Sequence, residues 1–299
     1  MSPAPAGAAR NTRIAAADMN NASSASPFTE RASGGVKFMQ ADNLSSFPGI
    51  VHAFTMRAGG VSEGIYSSLN LGTNRGDEPE KVDENYSRLC AALGIEKSRL
   101  VLSKQVHEDT VRVVSERDFR PSVLSPVDYS ADGLITIIPD IPLMVFAADC
   151  IPILLYASDS CAIGAVHAGW RGTMLDIAGK AAAKLCAEFG GEAKNIYAAI
   201  GAGIGKCCFE VGQEVYDAAL SLGLGGENEF TTDDGGGKYH VDLKEINRRL
   251  LVRAGVPQEN IALNSECTFC LCDKYWSHRA TNGRRGVQAA VIALTSGGV

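Results

Sequence analysis

Two apolar segments of the chain carry residue types that can do chemistry. Residues 147–156 contain Cys150, and residues 165–172 contain His167. Both segments have the apolar, β-branched character of strands, so each reactive residue lies at or near the end of a predicted strand. A Cys and a His that point to one spot can bind zinc or can form a nucleophilic Cys–His pair. Both interpretations indicate an enzyme.

His107 is the third candidate, because it follows the strand-like run 101–106. Taken singly, each residue has an ordinary structural explanation. Cys150 would be a buried inert thiol, His167 a hydrogen-bonded core histidine, and His107 a surface residue at a strand end. As a set, they match the catalytic zinc pattern of three protein ligands and one exchangeable water. On spacing alone, a catalytic Zn²⁺ bound by His107, Cys150 and His167 therefore stays open beside a Cys–His nucleophile and the ordinary structural explanations.

The small number of histidines limits the kind of metal centre. The chain has 5 histidines, and none of them forms a His-x-His pair. A multicopper oxidase needs many more imidazoles, mostly in such pairs. The sequence therefore excludes a multicopper centre built by this chain alone, whereas a mononuclear site remains open.

The pattern of apolar residues predicts a single layered α/β domain with a mixed β-sheet. Strands and helices interleave without a strict βαβ rhythm, which disfavours a dinucleotide-binding fold. The domain is predicted to span 36–299, after a disordered Ala/Ser/Asn-rich tail at 1–35. Predicted strands cover 51–55, 101–106, 111–114, 133–138, 143–148, 151–157, 161–167, 196–200 and 291–294. Predicted helices cover 80–93, 172–189, 213–220 and 243–254, the last with Asp242 as N-cap.

Composition and charge exclude several classes of protein. The net charge of −6 argues against binding to nucleic acid, which needs a basic face. No apolar run approaches the roughly 18 residues that cross a membrane. Nine cysteines, an odd number, are too sparse for a disulfide scaffold. We expect reduced thiols in a cytoplasmic enzyme that is a monomer or a weak homodimer.

Several motifs together resemble the YfiH family, whose members are also called peptidoglycan editing factors, laccase-domain proteins or purine nucleoside phosphorylases. They occur in the family's order from about residue 37 to the C-terminus. The most specific are Thr-Met-Arg-x-Gly-Gly-Val-Ser at 55–62, Gln-Val-His at 105–107, Ala-Asp-Cys-x-Pro-Ile-Leu-Leu at 148–155, Ala-Val-His-Ala-Gly-Trp-Arg-Gly at 165–172 and Ile-Gly-x-x-Ile-Gly-x-Cys-Cys-Phe-Glu-Val at 200–211.

The resemblance implies a YfiH-like (Cys-hydrolase-like) fold in which the same three residues, His107, Cys150 and His167, bind one catalytic zinc. It further implies phosphorolysis of adenosine, inosine and S-methyl-5'-thioadenosine, together with deamination of adenosine. The substrates would then be purine nucleosides and phosphate. The alternative is a peptidoglycan-precursor editing hydrolase that uses either Cys150 as nucleophile or the zinc. Oxidation of polyphenols is the activity that fits the small number of histidines least. A non-catalytic zinc protein is also disfavoured, because three protein ligands leave one coordination position of the metal open.

The substrate-binding residues are less well defined by the sequence. Phosphate favours cationic groups and helix N-termini, so Arg57, Arg171 and the start of the helix after Gly172 are candidates. No general base is obvious. His278 and Glu108 are candidates, whereas strand alternation turns Asp149 away from Cys150.

The chain departs from the family pattern where Ala202 and Lys206 replace prolines and where Ala280 and Val287 replace cations. The loss of those cations leaves the binding of anionic substrate groups uncertain. Residues 201–205 contain three glycines, which predicts a turn whose backbone approaches another segment closely.

The remaining cysteines near the C-terminus have no assigned role. The run Cys267-x-x-Cys270-x-Cys272 is typical of a metal site, but no matching ligand pair stands at a standard spacing. We interpret it, and the pair Cys207-Cys208, as packing residues.

Overall fold

The computed structural model describes residues 27–297. Its strands are β1 Phe28–Ser33, β2 Val36–Ala41, β3 Ile50–Thr55, β4 Val111–Val113, β5 Gly133–Thr136, β6 Leu143–Ala147, β7 Ile151–Ala157, β8 Ala162–Ala168, β9 Ile196–Ile200, β10 Glu210–Val211, β11 Thr231–Asp233, β12 Tyr239–Val241, β13 Ile261–Leu263 and β14 Gln288–Leu294. Its α-helices are α1 Asp42–Ser45, α2 Pro79–Leu93, α3 Trp170–Met174, α4 Ile177–Phe189, α5 Gln213–Leu220, α6 Glu227–Phe230, α7 Leu243–Arg253 and α8 His278–Thr281.

Two large sheets form the centre of the fold. One has the order β1-β2-β3-β14-β6, and the other has the order β13-β9-β7-β8-β5-β4. The second is a mixed sheet, since β9–β13 and β4–β5 pair in parallel and the other pairs are antiparallel. A small sheet, β10-β12-β11, lies apart from both. The prediction of a layered α/β fold with a mixed sheet is confirmed.

Side-chain alternation on β7 and β8 explains the layers. Leu154 and Ile163 belong to a core cluster shared with the first sheet, whereas Leu155 and Val166 pack with the helices α4 and α7. Helix α2 covers the outer face of the first sheet through apolar residues that include Leu89. The order of layers is therefore helix, sheet, sheet, helix.

Three sequence predictions need correction. The fold begins before residue 36, because Phe28–Ser33 pair with Val36–Ala41 as a hairpin; residues 1–26 of the predicted tail lie outside the described residues. The run 101–106 is not a strand and makes only isolated bridges, at Val101 and Lys104. The predicted helix 172–189 is divided into α3 and α4.

The division between α3 and α4 has a local cause. Asp176 has a left-handed backbone (φ 60°), and its carboxylate accepts a hydrogen bond from the Gly179 N–H. An Asp in this role satisfies a free N–H of the new helix, so α4 starts afresh at this point. None of the helices within residues 27–297 is long and apolar enough to cross a membrane.

Candidate active site

The predicted site forms where the chain crosses from one large sheet to the other. Strand β6 ends at Ala147, and β7 begins at Ile151 in the second sheet, so Cys150 lies in the crossing turn. His167 lies beside it at the end of β8, paired in register with Pro152. Adjacent strands therefore place the thiol and the imidazole together.

His107 completes the set from a different part of the chain. Its ring centroid is 4.8 Å from that of His167, and the two rings are perpendicular. The ligand atoms of His107, Cys150 and His167 all lie within 4.8 Å of one another, which is close enough for one metal ion to bind all three. The structure brings together the three residues that the sequence predicted.

Asp132 orients both histidines, and the sequence analysis did not identify it. Its fully buried carboxylate accepts hydrogen bonds from the backbone N–H groups of Val106, His107 and Glu108, at 3.0–3.1 Å. It also accepts one from Nδ1 of His167 at 2.8 Å. A carboxylate can only accept, so this contact places the proton on Nδ1 and leaves Nε2 for a metal.

The same carboxylate explains why residues 106–108 do not form a strand. His107 has a left-handed backbone (φ 64°), uncommon for a residue other than glycine. Three successive N–H groups surround the Asp132 carboxylate and do not pair with a neighbouring strand. Burial opposes ionisation of Asp132, but the hydrogen bonds from His167, Glu108 and Val106 lower its pKa.

The charges of the site favour a thiolate. Burial alone would raise the pKa of Cys150, but the neighbouring His167 and His107 lower it to about 6. Burial would lower the pKa of His167, whereas Cys150 and Asp132 raise it to about 9. The thiolate is the form of cysteine that binds metals and attacks electrophiles.

Gly169 is required by the closeness of these side chains. A Cβ at this position would lie 2.9 Å from Cδ2 of His107 and 3.3 Å from Sγ of Cys150. The glycine-rich loop at 201–205 likewise allows a close approach, in this case of the loop to the turn before β7. A Cβ on Gly203 would lie 2.4 Å from Ile151 and 3.0 Å from the carbonyl oxygen of Asp149, so the predicted close approach is confirmed.

A cavity of about 390 Å³ opens over His107, Cys150 and His167. Phe146, Ala147, Ala148 and Val287 form its apolar part. Besides the three clustered residues, the polar lining residues are Thr73, Asn74, Arg75, Ser103, Lys104, Gln105 and Arg285. Arg285 is buried, and its Nε has no hydrogen-bond partner among residues 27–297. Burial, and then the nearby Arg75, lower the pKa of Arg285 to about 10.

The two arginines predicted to bind phosphate do not line this cavity. Arg57 donates to the carbonyl oxygens of Ser67 and Cys272 and lies over the ring of Trp276. Arg171 lies over the ring of Trp170, on the exposed side of α3. The start of α4 is likewise occupied, because the Asp176 carboxylate already binds there. The cations of the cavity are Arg75, Lys104 and Arg285, which the sequence analysis missed, although the doublet Arg284-Arg285 between glycines was a usable signal.

The candidate general bases also lie outside the cavity lining. His278 is next to Arg285, with 3.4 Å between its Nδ1 and the guanidinium. Glu108 is exposed beside the Asp132 site. Asp149 is turned away from the cavity, as expected, since its carboxylate accepts from the Thr268 hydroxyl at 2.6 Å and the Arg279 N–H at 2.7 Å. The physical reason is a left-handed turn (φ 86°) ahead of β7, not alternation within the strand.

These observations define the class of protein. It has a layered α/β fold with a Cys-His-His cluster where the chain crosses between the two large sheets. A family model described as multi-copper polyphenol oxidoreductase laccase matches residues 51–295, so the chain belongs to this family. The resemblance to YfiH is confirmed by a solved structure, a hypothetical protein YfiH of Bacillus licheniformis. That structure has a TM-score of 0.84 and 31% identity, and the match covers 90% of this chain and 99% of that one.

Curated relatives carry names from nucleoside chemistry. A purine nucleoside phosphorylase of Bacteroides thetaiotaomicron is 35% identical over 82% of this chain and 92% of its own length. A protein named adenosine deaminase RL5, from an unknown prokaryotic organism, is 34% identical over 77% of this chain and 88% of its own length.

Proposed function

We propose that this protein is a cytoplasmic, zinc-dependent purine nucleoside phosphorylase that acts on adenosine, inosine and S-methyl-5'-thioadenosine and also deaminates adenosine. The observation that carries the proposal is the convergence of His107, Cys150 and His167 beneath a cavity with three cationic side chains. The names of the relatives supply the nucleoside class.

The donor set fits zinc. One thiolate and two imidazoles are borderline-soft ligands, and three protein ligands leave a position for a water or a substrate. Asp132 holds His167 in the tautomer that presents Nε2 to the ion. When bound, zinc acts as a Lewis acid that lowers the pKa of a bound water towards about 7.

The residues of the cavity suit phosphate and a purine. Within the described residues, the guanidinium of Arg285 is buried without a carboxylate partner, and with Arg75 it forms a cationic side of the cavity. Such a pair binds the oxygens of phosphate and orients it towards the sugar carbon of the nucleoside. Phe146 and Val287 offer an apolar surface for the base. Gln105 holds that surface, since its amide exchanges two hydrogen bonds with the Phe146 backbone.

The copper oxidase named in the family description is not favoured by the placement of the histidines. His52 lies in the buried strand β3, and His240 pairs with Asp234 in the small sheet. Only His107 and His167 share a site with each other within the described residues. A cluster of several copper ions needs more imidazoles than this site has.

A cysteine hydrolase is the second candidate, favoured by one observation. In this arrangement Cys150 would be the nucleophile, His167 its base, and Asp132 the carboxylate that orients His167. This arrangement would suit removal of a wrongly added amino acid from a wall precursor without any metal.

Elemental analysis combined with a substrate assay tests both candidates. We expect Cys150→Ala and His167→Ala to lose the active-site zinc together with phosphate-dependent release of base from adenosine. Activity should be compared in phosphate and phosphate-free buffers, with Cys186→Ser as a matched thiol control remote from the site. Full turnover by metal-free enzyme would refute the zinc mechanism and favour the cysteine hydrolase.

A further inference from the structure

Four cysteines from two distant segments meet outside the active site. Cys207 and Cys208 end the glycine-rich loop after β9, and Cys267 and Cys270 lie in the segment after β13. Their sulfur atoms all lie within 4.8 Å of one another. The Sγ of Cys270 is 3.4 Å from that of Cys208 and 3.7 Å from that of Cys207. We call these residues the thiol cluster.

Backbone amides point at the most buried sulfur of the thiol cluster. The Gly205 N–H donates to Sγ of Cys267 at 3.1 Å. Cys267 is buried, and the N–H groups of Cys270 and Phe269 also hydrogen-bond to its sulfur. A Cys-x-x-Cys turn that directs amides at its first sulfur is suited to hold a thiolate, the form that binds metals.

A buried cation lies near the thiol cluster. Lys244 is 3% exposed, and its Nζ donates to the carbonyl oxygens of Asn264 and Glu266 at 2.9 and 3.0 Å. Glu266, whose carbonyl oxygen it contacts, directly precedes Cys267 in the chain. Four thiolates around a divalent ion carry a net negative charge, so a nearby ammonium group stabilises them.

We propose that Cys207, Cys208, Cys267 and Cys270 bind a second, structural zinc ion. Zinc–sulfur bonds of about 2.3 Å in a tetrahedron place the sulfurs about 3.8 Å apart, close to the separations of Cys270 from Cys207 and Cys208. Four protein ligands close the coordination shell, so the ion has a structural role and no catalytic one. A disulfide would use only two of the four sulfurs and would leave the amides around Cys267 without a function.

The proposed ion lies behind the active site and connects two segments that hold it. Ile204 N–H donates to the carbonyl oxygen of Asp149 at 2.8 Å, and the Thr268 hydroxyl donates to the carboxylate of the same residue. Asp149 directly precedes Cys150. An ion that joins 207–208 to 267–270 therefore stabilises the turn that carries the catalytic thiol.

Zinc stoichiometry tests the proposal independently of enzymatic activity. Mass-spectrometric metal analysis should give about two zinc ions per wild-type chain, one in His167→Ala and one in Cys270→Ser. Cys272→Ser is the matched control, since it lies on the same segment but outside the thiol cluster, and it should keep two. A single zinc in wild-type protein that His167→Ala abolishes would overturn the proposal and leave the proposed function intact.

Cobalt substitution identifies the ligands. In the His167→Ala background, Co²⁺ should give thiolate-to-cobalt charge-transfer absorption that disappears when Cys270→Ser is added. If Cys270→Ser does not fold, alkylation of wild-type protein decides the question. The exposed thiols of Cys207 and Cys270 must resist alkylation until a chelator is added. Rapid alkylation of metal-loaded protein, or a Cys208–Cys270 disulfide found by peptide mapping, would contradict the second zinc site.

Discussion

At the scale of single residues, one buried carboxylate organises the active site. Asp132 binds three consecutive backbone amides around His107 and the ring of His167, so it sets the positions of two of the three residues of the candidate metal site. It is fully buried and does not line the cavity, so it is a positioning residue. We expect loss of the Asp132 carboxylate to lower the affinity for the metal, and to lower turnover only because less metal is bound.

Asp132→Asn is therefore expected to weaken zinc binding about 10- to 100-fold, the usual cost of losing an orienting carboxylate behind a metal-bound histidine. An amide is neutral and cannot hold the protonation state of His167 in the same way. Competition with a chromophoric chelator measures the affinity. Unchanged zinc affinity in a folded variant would show that Asp132 stabilises only the backbone conformation around His107.

Arg285→Gln tests the proposed phosphate site. Loss of a charge-assisted contact costs about 1.5–3 kcal/mol, so the KM for phosphate should rise roughly 10- to 100-fold. Deamination of adenosine uses no phosphate and should change little. Arg284→Gln is the control, because this neighbour is exposed and does not line the cavity. Equal effects of the two substitutions would assign phosphate binding to other groups.

At the scale of elements, the junction between the two large sheets creates the site. Strands β7 and β8 are buried along their whole length, Cys150 directly precedes β7, and His167 lies near the end of β8. Strand β3 carries a different histidine, His52, which is fully buried and accepts a hydrogen bond from the Ala41 N–H at 2.9 Å. This contact requires a neutral ring, since a protonated ring has no acceptor nitrogen.

Burial lowers the pKa of His52 from about 6.5 to about 4. The unfolded chain therefore binds a proton that the folded chain excludes when the pH lies between these values. The stability present above pH 6.5 is lost as the pH falls towards 4, by up to about 3 kcal/mol. Denaturant unfolding of wild-type protein and His52→Gln at several pH values measures this contribution. We expect a shallower pH dependence in the variant, and identical slopes would disprove the assignment.

At the scale of the whole molecule, the active site ties together segments that are far apart in the chain. His107, Cys150 and His167 come from a loop, a turn between sheets and a strand end. A metal that binds only the folded arrangement stabilises the fold by mass action. The free energy of unfolding should therefore depend on free zinc.

Zinc at about 100 times its dissociation constant is expected to add about 2.7 kcal/mol to the free energy of unfolding. Thermal unfolding of chelator-treated protein, with and without added zinc, measures the change. Because the thiol cluster can contribute too, the same titration in Cys270→Ser isolates the active-site contribution. A melting temperature that does not respond to zinc in Cys270→Ser would show that no metal binds the active site.

Local sequence patterns predicted several elements and the three residues of the candidate metal site. β9, α5 and the end of α2 follow from side-chain periodicity and match the predicted bounds, because these depend on neighbours a few residues away. The three residues of the candidate metal site could be predicted because each lies in a distinctive motif beside a strand. The separation of α3 from α4 could not be predicted, since it depends on the left-handed backbone of a single residue, Asp176.

Only the tertiary structure decided which charged and polar groups share the site. Asp132 and Arg285 reach the ligands from distant segments, and Arg57, in an equally distinctive motif, is held by Cys272 and Trp276 instead. The thiol cluster likewise joins positions about sixty residues apart. A residue's type states which chemistry it can do, but its partners across the fold decide whether it does it, because charge and metal interactions depend on distances that local sequence does not define.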